Sequence, residues 1–193
     1  MTIDIPIGLA INGHRSADYA ARQFIGPRRS SVFFAPARPV VEYGQSIHGL
    51  AHSDRERVST WAKEHEFDGL GAQAFGIFPK ICEIDSLLKS SPDHTMYEVH
   101  PEVSWRATAD DIELLESKHS ARDILQRIRL IRQHLGEEVL DQPLPNGRYA
   151  IDDLLDALAG FLTARRIAQG EAVRLPDPPD IDLILDREMA IWY

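Results

Sequence analysis

Asp152, Asp153 and Asp156 share one short run with a hydrophobic seam, and carboxylates at that spacing can bind a divalent cation. Ile151, Leu154, Leu155, Leu158 and Leu162 recur at about 100° per residue, so residues 149–163 read as a helix that packs through this seam. The three acids crowd another patch of the same helix. Two readings stay open for them. Acids in a first turn cap free N–H groups and complement the helix dipole, which accounts for Asp152 and Asp153 but not for Asp156. Alternatively, the patch ligates metal. Ala159, Gly160 and Thr163 continue that face with no Lys or Arg before Arg165, a pattern of close packing or of room for a ligand.

Other residues capable of chemistry are scattered along the chain. Residues 95–102 read as a strand that sets Glu98 and His100 on one face, with Glu102 just beyond. These groups could ligate metal or position water; the plainer reading is a half-exposed strand with Pro101 opening a helix. Arg28 and Arg29, followed by Ser30 and Ser31, could clamp a phosphate or pair with some of the thirty acidic residues. Asp4, on the polar side of an N-terminal strand, reads by itself as solvent-exposed.

The elements that would hold these groups follow from periodicity. Ile3, Ile5 and Ile7 alternate with Thr2, Asp4 and Pro6, a strand over residues 2–7 with Pro6 near its end. Helices are expected at residues 15–24, 36–43 and 54–67. The run 69–89 buries Ala74, Ile77, Phe78, Ile81, Ile84, Leu87 and Leu88, with Pro79 as a kink or break. A further helix, 118–135, packs through Ile124, Ile128, Ile131 and Leu135 and turns Arg122, Arg127, Arg129 and Arg132 to the other side. A Pro-rich acidic stretch then leads to a last short strand at residues 189–193.

At 193 residues, 44% hydrophobic and 26% charged, the chain is expected to form a single domain. One cysteine, Cys82, rules out an internal disulfide framework and fits a reducing, cytoplasmic setting. It should pack as a small hydrophobe. No run approaches a membrane span or a signal peptide. A net charge of −9 gives weak electrostatic support to nucleic acid as a partner, so any such binding needs a local basic patch.

Taken in order, Ile3-Asp4-Ile5-Pro6-Ile7-Gly8-Leu9, Gly26-Pro27-Arg28-Arg29-Ser30-Ser31-Val32-Phe33, Pro79-Lys80-Ile81, Tyr97-Glu98-Val99-His100-Pro101-Glu102, Ser117-Lys118, Asp152-Asp153-x-x-Asp156-Ala157 and Ile191-Trp192-Tyr193 resemble domain of unknown function 429, a family of predicted RNase H-like nucleases. The resemblance spans nearly the whole chain. It implies an α/β fold, an RNase H-like mixed sheet flanked by helices, with acids gathered at its centre. The chemistry it implies is phosphodiester hydrolysis in DNA or RNA with Mg²⁺ or Mn²⁺. Asp4, Asp153 and Asp156 would be ligands, with Asp152 as the alternate, and Glu98 and His100 would assist. Arg28, Arg29, Lys80 and Lys118 would hold phosphate. The ligand carboxylates of Asp4 and of Asp153 or Asp156 would then face each other across roughly 4–8 Å.

Family members carry a further acidic strand ahead of the Ile-Asp-Ile-Pro segment, so the chain reads as N-terminally truncated. That leaves residues 2–7 as an open strand edge through which copies could associate. The second class of function is a catalytically reduced module that binds nucleic acid or protein.

Overall fold

The computed structural model describes residues 1–47, 50–109, 120–143 and 147–193. In chain order these form β1 (Thr2–Ile3), α1 (Ser16–Ile25), a 3₁₀ turn (Gly26–Ser31), α2 (Arg38–Ser46), α3 (Arg55–Glu64), α4 (Ala72–Ser90), β2 (Tyr97–Val99), α5 (Pro101–Thr108), α6 (Ala121–Leu135), α7 (Ile151–Gln169), β3 (Arg174–Asp182) and β4 (Arg187–Trp192). The fold is mixed α/β. The strands form one sheet in the order β1-β2-β4-β3, with β1, β2 and β4 parallel and β3 antiparallel to β4. No helix among the described residues is long and apolar enough to cross a membrane.

β1 is shorter than its alternation predicts. Thr2 and Ile3 pair with Tyr97 and Glu98, and then the backbone leaves the ladder. Its next donors find carboxylates instead of a strand. The Ile7 N–H donates to Glu98 Oε2 (2.6 Å) and the Leu9 N–H to Asp182 Oδ2 (2.8 Å). Between them Gly8 turns the chain at φ +78°, a conformation that suits a residue without Cβ. Pro6, Ile7, Gly8 and Leu9 are buried, so the apolar edge expected over residues 2–7 shrinks to two residues.

β3 is the element that the sequence pattern hid. Pro176, Pro178 and Pro179 argue against a strand, yet β3 lies at the sheet's edge, where a missing N–H breaks no ladder on the outer side. Pro79 is likewise tolerated. α4 runs unbroken from Ala72 to Ser90, because Pro79 lies on its exposed side.

The interior is built from joined clusters. Leu9 and α2, α3 and α4 form one, including Val40, Val41, Val58, Phe78 and Ile81. Trp105, Leu130, Ile131, Leu155, Ala159 and Leu162 join α5, α6 and α7 in another, and α1 packs on β4 and α5 through Ala17, Ala21, Ile191 and Val103. Cys82 packs against the first cluster, where burial, reinforced by Asp85, pushes its thiol up to about 11.

Charge enters this interior at places where periodicity put only polar surface. Asp85 of α4 is 4% exposed and accepts from Arg38 Nη1 (3.0 Å), itself 2% exposed. Asp182 joins them, accepting from Arg38 Nη2, the Leu9 N–H, and the N–H groups of Ile184 and Leu185. Burial alone would raise the Asp182 carboxyl; those donors outweigh it and hold it below the ordinary carboxylate range. A depressed carboxylate contributes stability that is present above its unfolded value and lost as pH falls through the folded one. Asp182→Asn should therefore cost about 1.5–3 kcal/mol at neutral pH, the usual worth of hydrogen bonds to a charged group, and should flatten the loss of stability below about pH 4. Urea unfolding of both proteins at pH 7 and pH 3.5 checks this. Equal acid sensitivity would contradict it.

Candidate functional site at the carboxyl ends of the parallel strands

Asp4 follows β1 by one residue and His100 follows β2 by one, and the pairing of Ile3 with Glu98 sets the two strand exits side by side. Ligands of open α/β sheets commonly bind at such ends. Here they border a small cleft lined by Asp4, Arg15, Asp18, Phe33, Glu98 and His100. Asp4 is exposed and Glu98 is 5% exposed. A larger cleft lies toward the other end of β2, against the β3–β4 hairpin. Its one guanidinium, that of Arg187, is directed at the carbonyls of Pro92 and His94.

Glu98 lies deep in the wall of the cleft. Arg15 grips it with two bonds, Nη1 to Oε2 (2.7 Å) and Nη2 to Oε1 (2.8 Å), and also pairs with Asp18. Asp18 in turn accepts from the Ala35 N–H (2.9 Å), while Arg15 Nη1 reaches the carbonyls of Ile7 and Gly8. One guanidinium thus serves two buried carboxylates. Burial pushes the Glu98 carboxyl above its ordinary value, and Asp18 adds to this; Arg15 and the Ile7 N–H pull it back. Arg15 is held firmly protonated, since its two carboxylates outweigh the cost of burial. This arrangement makes Glu98 a clamp on residues 7–8.

His100 caps α5. Its Nδ1 accepts from the Glu102 N–H (3.2 Å) and its Nε2 lies 3.3 Å from the Ser31 carbonyl, which together fit a ring protonated on Nε2. The 3₁₀ turn is thereby held against the cleft. Residues 95–102 do not continue as one strand, because Pro101 opens the helix at this point.

Beyond His100 lies a buried ion network. Arg127, 1% exposed, donates to Asp123 Oδ2 (2.6 Å) and to both oxygens of Glu102 (3.0 and 3.2 Å), with its guanidinium 5.3 Å from the Trp105 ring. Arg28 adds contacts to Glu102 (3.0 Å) and Asp123 (3.4 Å). Asp156 enters it as well, with Oδ1 3.9 Å from Arg127 Nη1. Arg127 is therefore inside the molecule and not on the basic face of α6.

The acidic helix divides its residues. Asp153 is exposed and its Oδ2 accepts the Ala150 N–H (2.9 Å), a capping bond at the start of α7. Asp152 is half-buried near that end, and Asp156 is turned toward Arg127. The small residues supply close packing: Gly160 accepts from the Thr2 hydroxyl (3.2 Å), Thr163 bonds Ser104 (2.8 Å), and Ala159 is fully buried. This shifts the packed face away from Ile151, which is 49% exposed.

Of the phosphate candidates, Arg28 is engaged as above. Arg29 is exposed and has no ion-pair partner among the described residues. Lys80 pairs with Glu83 (2.8 Å) on the outside of α4, and Lys118 lies outside the described residues. Among the described residues no group of three or more His, Cys, Asp or Glu side chains is placed to hold a metal ion. Asp152, Asp153 and Asp156 do not line the cleft that holds Asp4 and His100.

Sequence reasoning missed Arg15, Asp18, Arg38, Asp123 and Asp182 as interior charges. Two had a readable signal, for Arg15 and Asp18 are three apart at a helix start, where a local ion pair forms readily. The other partners are distant in sequence.

The mixed sheet, with its cleft at the exits of two parallel strands, defines an α/β protein with a carboxylate and an imidazole at a shared mouth. The chain belongs to the family described as Protein of unknown function (DUF429), whose model matches residues 1–181. No curated protein matches it, and no solved structure does.

Proposed function

We propose that the protein is a metal-dependent hydrolase of phosphodiester bonds in DNA or RNA, with an RNase H-like arrangement of its sheet, and that the cleft at Asp4 and His100 is its reacting end. The observation that carries this reading is the shared lining of that cleft by Asp4, Glu98 and His100, side chains that leave from two adjacent parallel strands. Asp4 is the accessible carboxylate. Mg²⁺ or Mn²⁺ suits such a site because hard cations take one or two protein carboxylates and complete their shell with water and substrate oxygens. Asp4 is the carboxylate that the cleft offers for it; Asp152 and Asp156 lie outside the cleft lining, and Asp153 has a capping bond to hold. The bound ion would polarise the phosphoryl oxygen and lower the pKa of water.

The chain's own residues supply the rest. Glu98, fixed by Arg15, stiffens the wall beside Asp4, and His100 holds the 3₁₀ turn that carries Arg29. Arg29 is positioned in sequence and exposure to meet a phosphate. A second reading, a binding module without catalysis, is favoured by one observation: Asp152, Asp153 and Asp156 lie outside the lining of the cleft that holds Asp4 and His100.

The deciding screen incubates single- and double-stranded DNA and RNA with the protein, with and without Mg²⁺ or Mn²⁺. The hydrolase reading expects ion-dependent cleavage of at least one substrate that EDTA stops. Binding without cleavage in every arm would replace it with the module.

A further inference from the structure

The exposed side of α6 carries a charge pattern that the cleft does not use. At about 100° per residue, Arg122, Arg129 and Arg132 fall within an arc of about 80° and are separated by ten helical steps in all, about 15 Å of helix. All three are exposed, whereas Asp123 and Arg127 are buried on the opposite side. Arg129 has no ion-pair partner among the described residues, and Arg132 has only a 3.8 Å contact with Glu137, both groups lying in solvent. α6 offers no acid on its exposed arc, since Asp123, its one acidic residue, faces inward.

The N-terminal end of α6 meets the 3₁₀ turn that His100 holds at the cleft. Arg28 reaches Asp123 in the first turn of α6, so the 3₁₀ turn abuts that end of the helix, and exposed Arg29 follows Arg28. The far end of the same turn touches His100 through Ser31. Along the helix axis, Arg132, Arg129 and Arg122 therefore run toward the end of α6 that meets the 3₁₀ turn, which also carries Arg29.

We infer that this arginine track binds the phosphodiester backbone of a single nucleic-acid strand and leads it to the cleft; the second half of that statement rests on the hydrolase reading above. Guanidinium groups match phosphate oxygens with paired N–H donors, and a track of this length spans several consecutive phosphates. An acidic protein would require an apolar core around the charges, and α6 exposes only Leu125, at 54%, as a large apolar residue. That side chain sits among the arginines, where a base can rest on it.

The test is fluorescence anisotropy with fluorescein-labelled oligo-dT and oligo-rU in EDTA, so that nothing is cleaved, across a salt series. Arg129→Ala/Arg132→Ala changes two exposed side chains and should leave the fold intact. It should weaken binding about tenfold and lower the slope of log affinity against log salt by about 1.4, two phosphates at about 0.7 each. Arg57→Ala, exposed on α3 and bonded to the Tyr43 hydroxyl, should change neither. An unchanged slope in the double variant, an equal fall in the Arg57 variant, displacement by polyglutamate of matched charge, or no binding to either oligonucleotide overturns the track. Track-dependent binding by a chain that cleaves nothing keeps the track and removes the hydrolase; cleavage with an unchanged slope does the reverse. Comparison of the two oligonucleotides separates DNA from RNA.

Discussion

Arg15→Met is expected to destabilise the fold by about 3–5 kcal/mol, the cost of removing one partner from a buried ion cluster. The side chain is 2% exposed, and its loss strands two carboxylates, Glu98 at 5% and Asp18 at 1% exposure. It also removes donors from the Ile7 and Gly8 carbonyls. For a chain of this size the melting temperature should fall by on the order of 10 °C. A pH signature accompanies the loss. Without the guanidinium, less opposes the burial of Glu98, whose carboxyl rises further, and a raised carboxyl contributes stability that is present below its unfolded value and lost as pH rises through the folded one. The variant should therefore recover part of its deficit at pH 5 relative to pH 7.5. Urea unfolding at the two pH values checks both parts. A deficit under about 1 kcal/mol would mean that Arg15 is not the centre of the clamp.

Gly8→Ala should be comparably severe for a different reason. At φ +78° an added Cβ costs about 1–2 kcal/mol in backbone strain. It would also lie 2.5 Å from Met189 Cγ and 3.2 Å from Asp182 Cβ, both in the packed interior. Overpacking of that kind adds about 1–3 kcal/mol. Gly170, at φ +72° past the end of α7, has no atom within 4 Å of the same position and isolates the backbone part. Gly170→Ala should thus cost about 1 kcal/mol, and Gly8→Ala at least twice that. Equal losses at both glycines would show that the contact with Met189 relaxes freely.

These two positions also show where sequence reading stopped. Helices α4, α6 and α7 were legible because apolar residues recur at helical spacing, and β2 and β4 because short β-branched and aromatic runs stand between turns. The mixed α/β class followed from them. What periodicity cannot express is a buried charge. It put Arg127 outside and left Asp85 off the buried stripe of its helix, whereas each is held inside by partners far along the chain: Glu102 for the first and Arg38 for the second. It also ran β1 to Ile7, since nothing local reveals that Glu98, 91 residues away, takes the Ile7 N–H. In the cleft, Asp4, Glu98 and His100 were readable as a group only through the ordered motifs. The capping role of Asp153 was readable from its position alone.

The catalytic reading turns on Asp4, the exposed carboxylate of the cleft. The most direct measurement is single-turnover cleavage by the native protein and by Asp4→Asn, on whichever substrate the screen identifies, with melting temperatures matched. A carboxylate that holds a hard cation contributes several kcal/mol of transition-state stabilisation, so the rate should fall by at least about a hundredfold. Cleavage by Asp4→Asn at the native rate would contradict the assignment of this cleft as the reacting end.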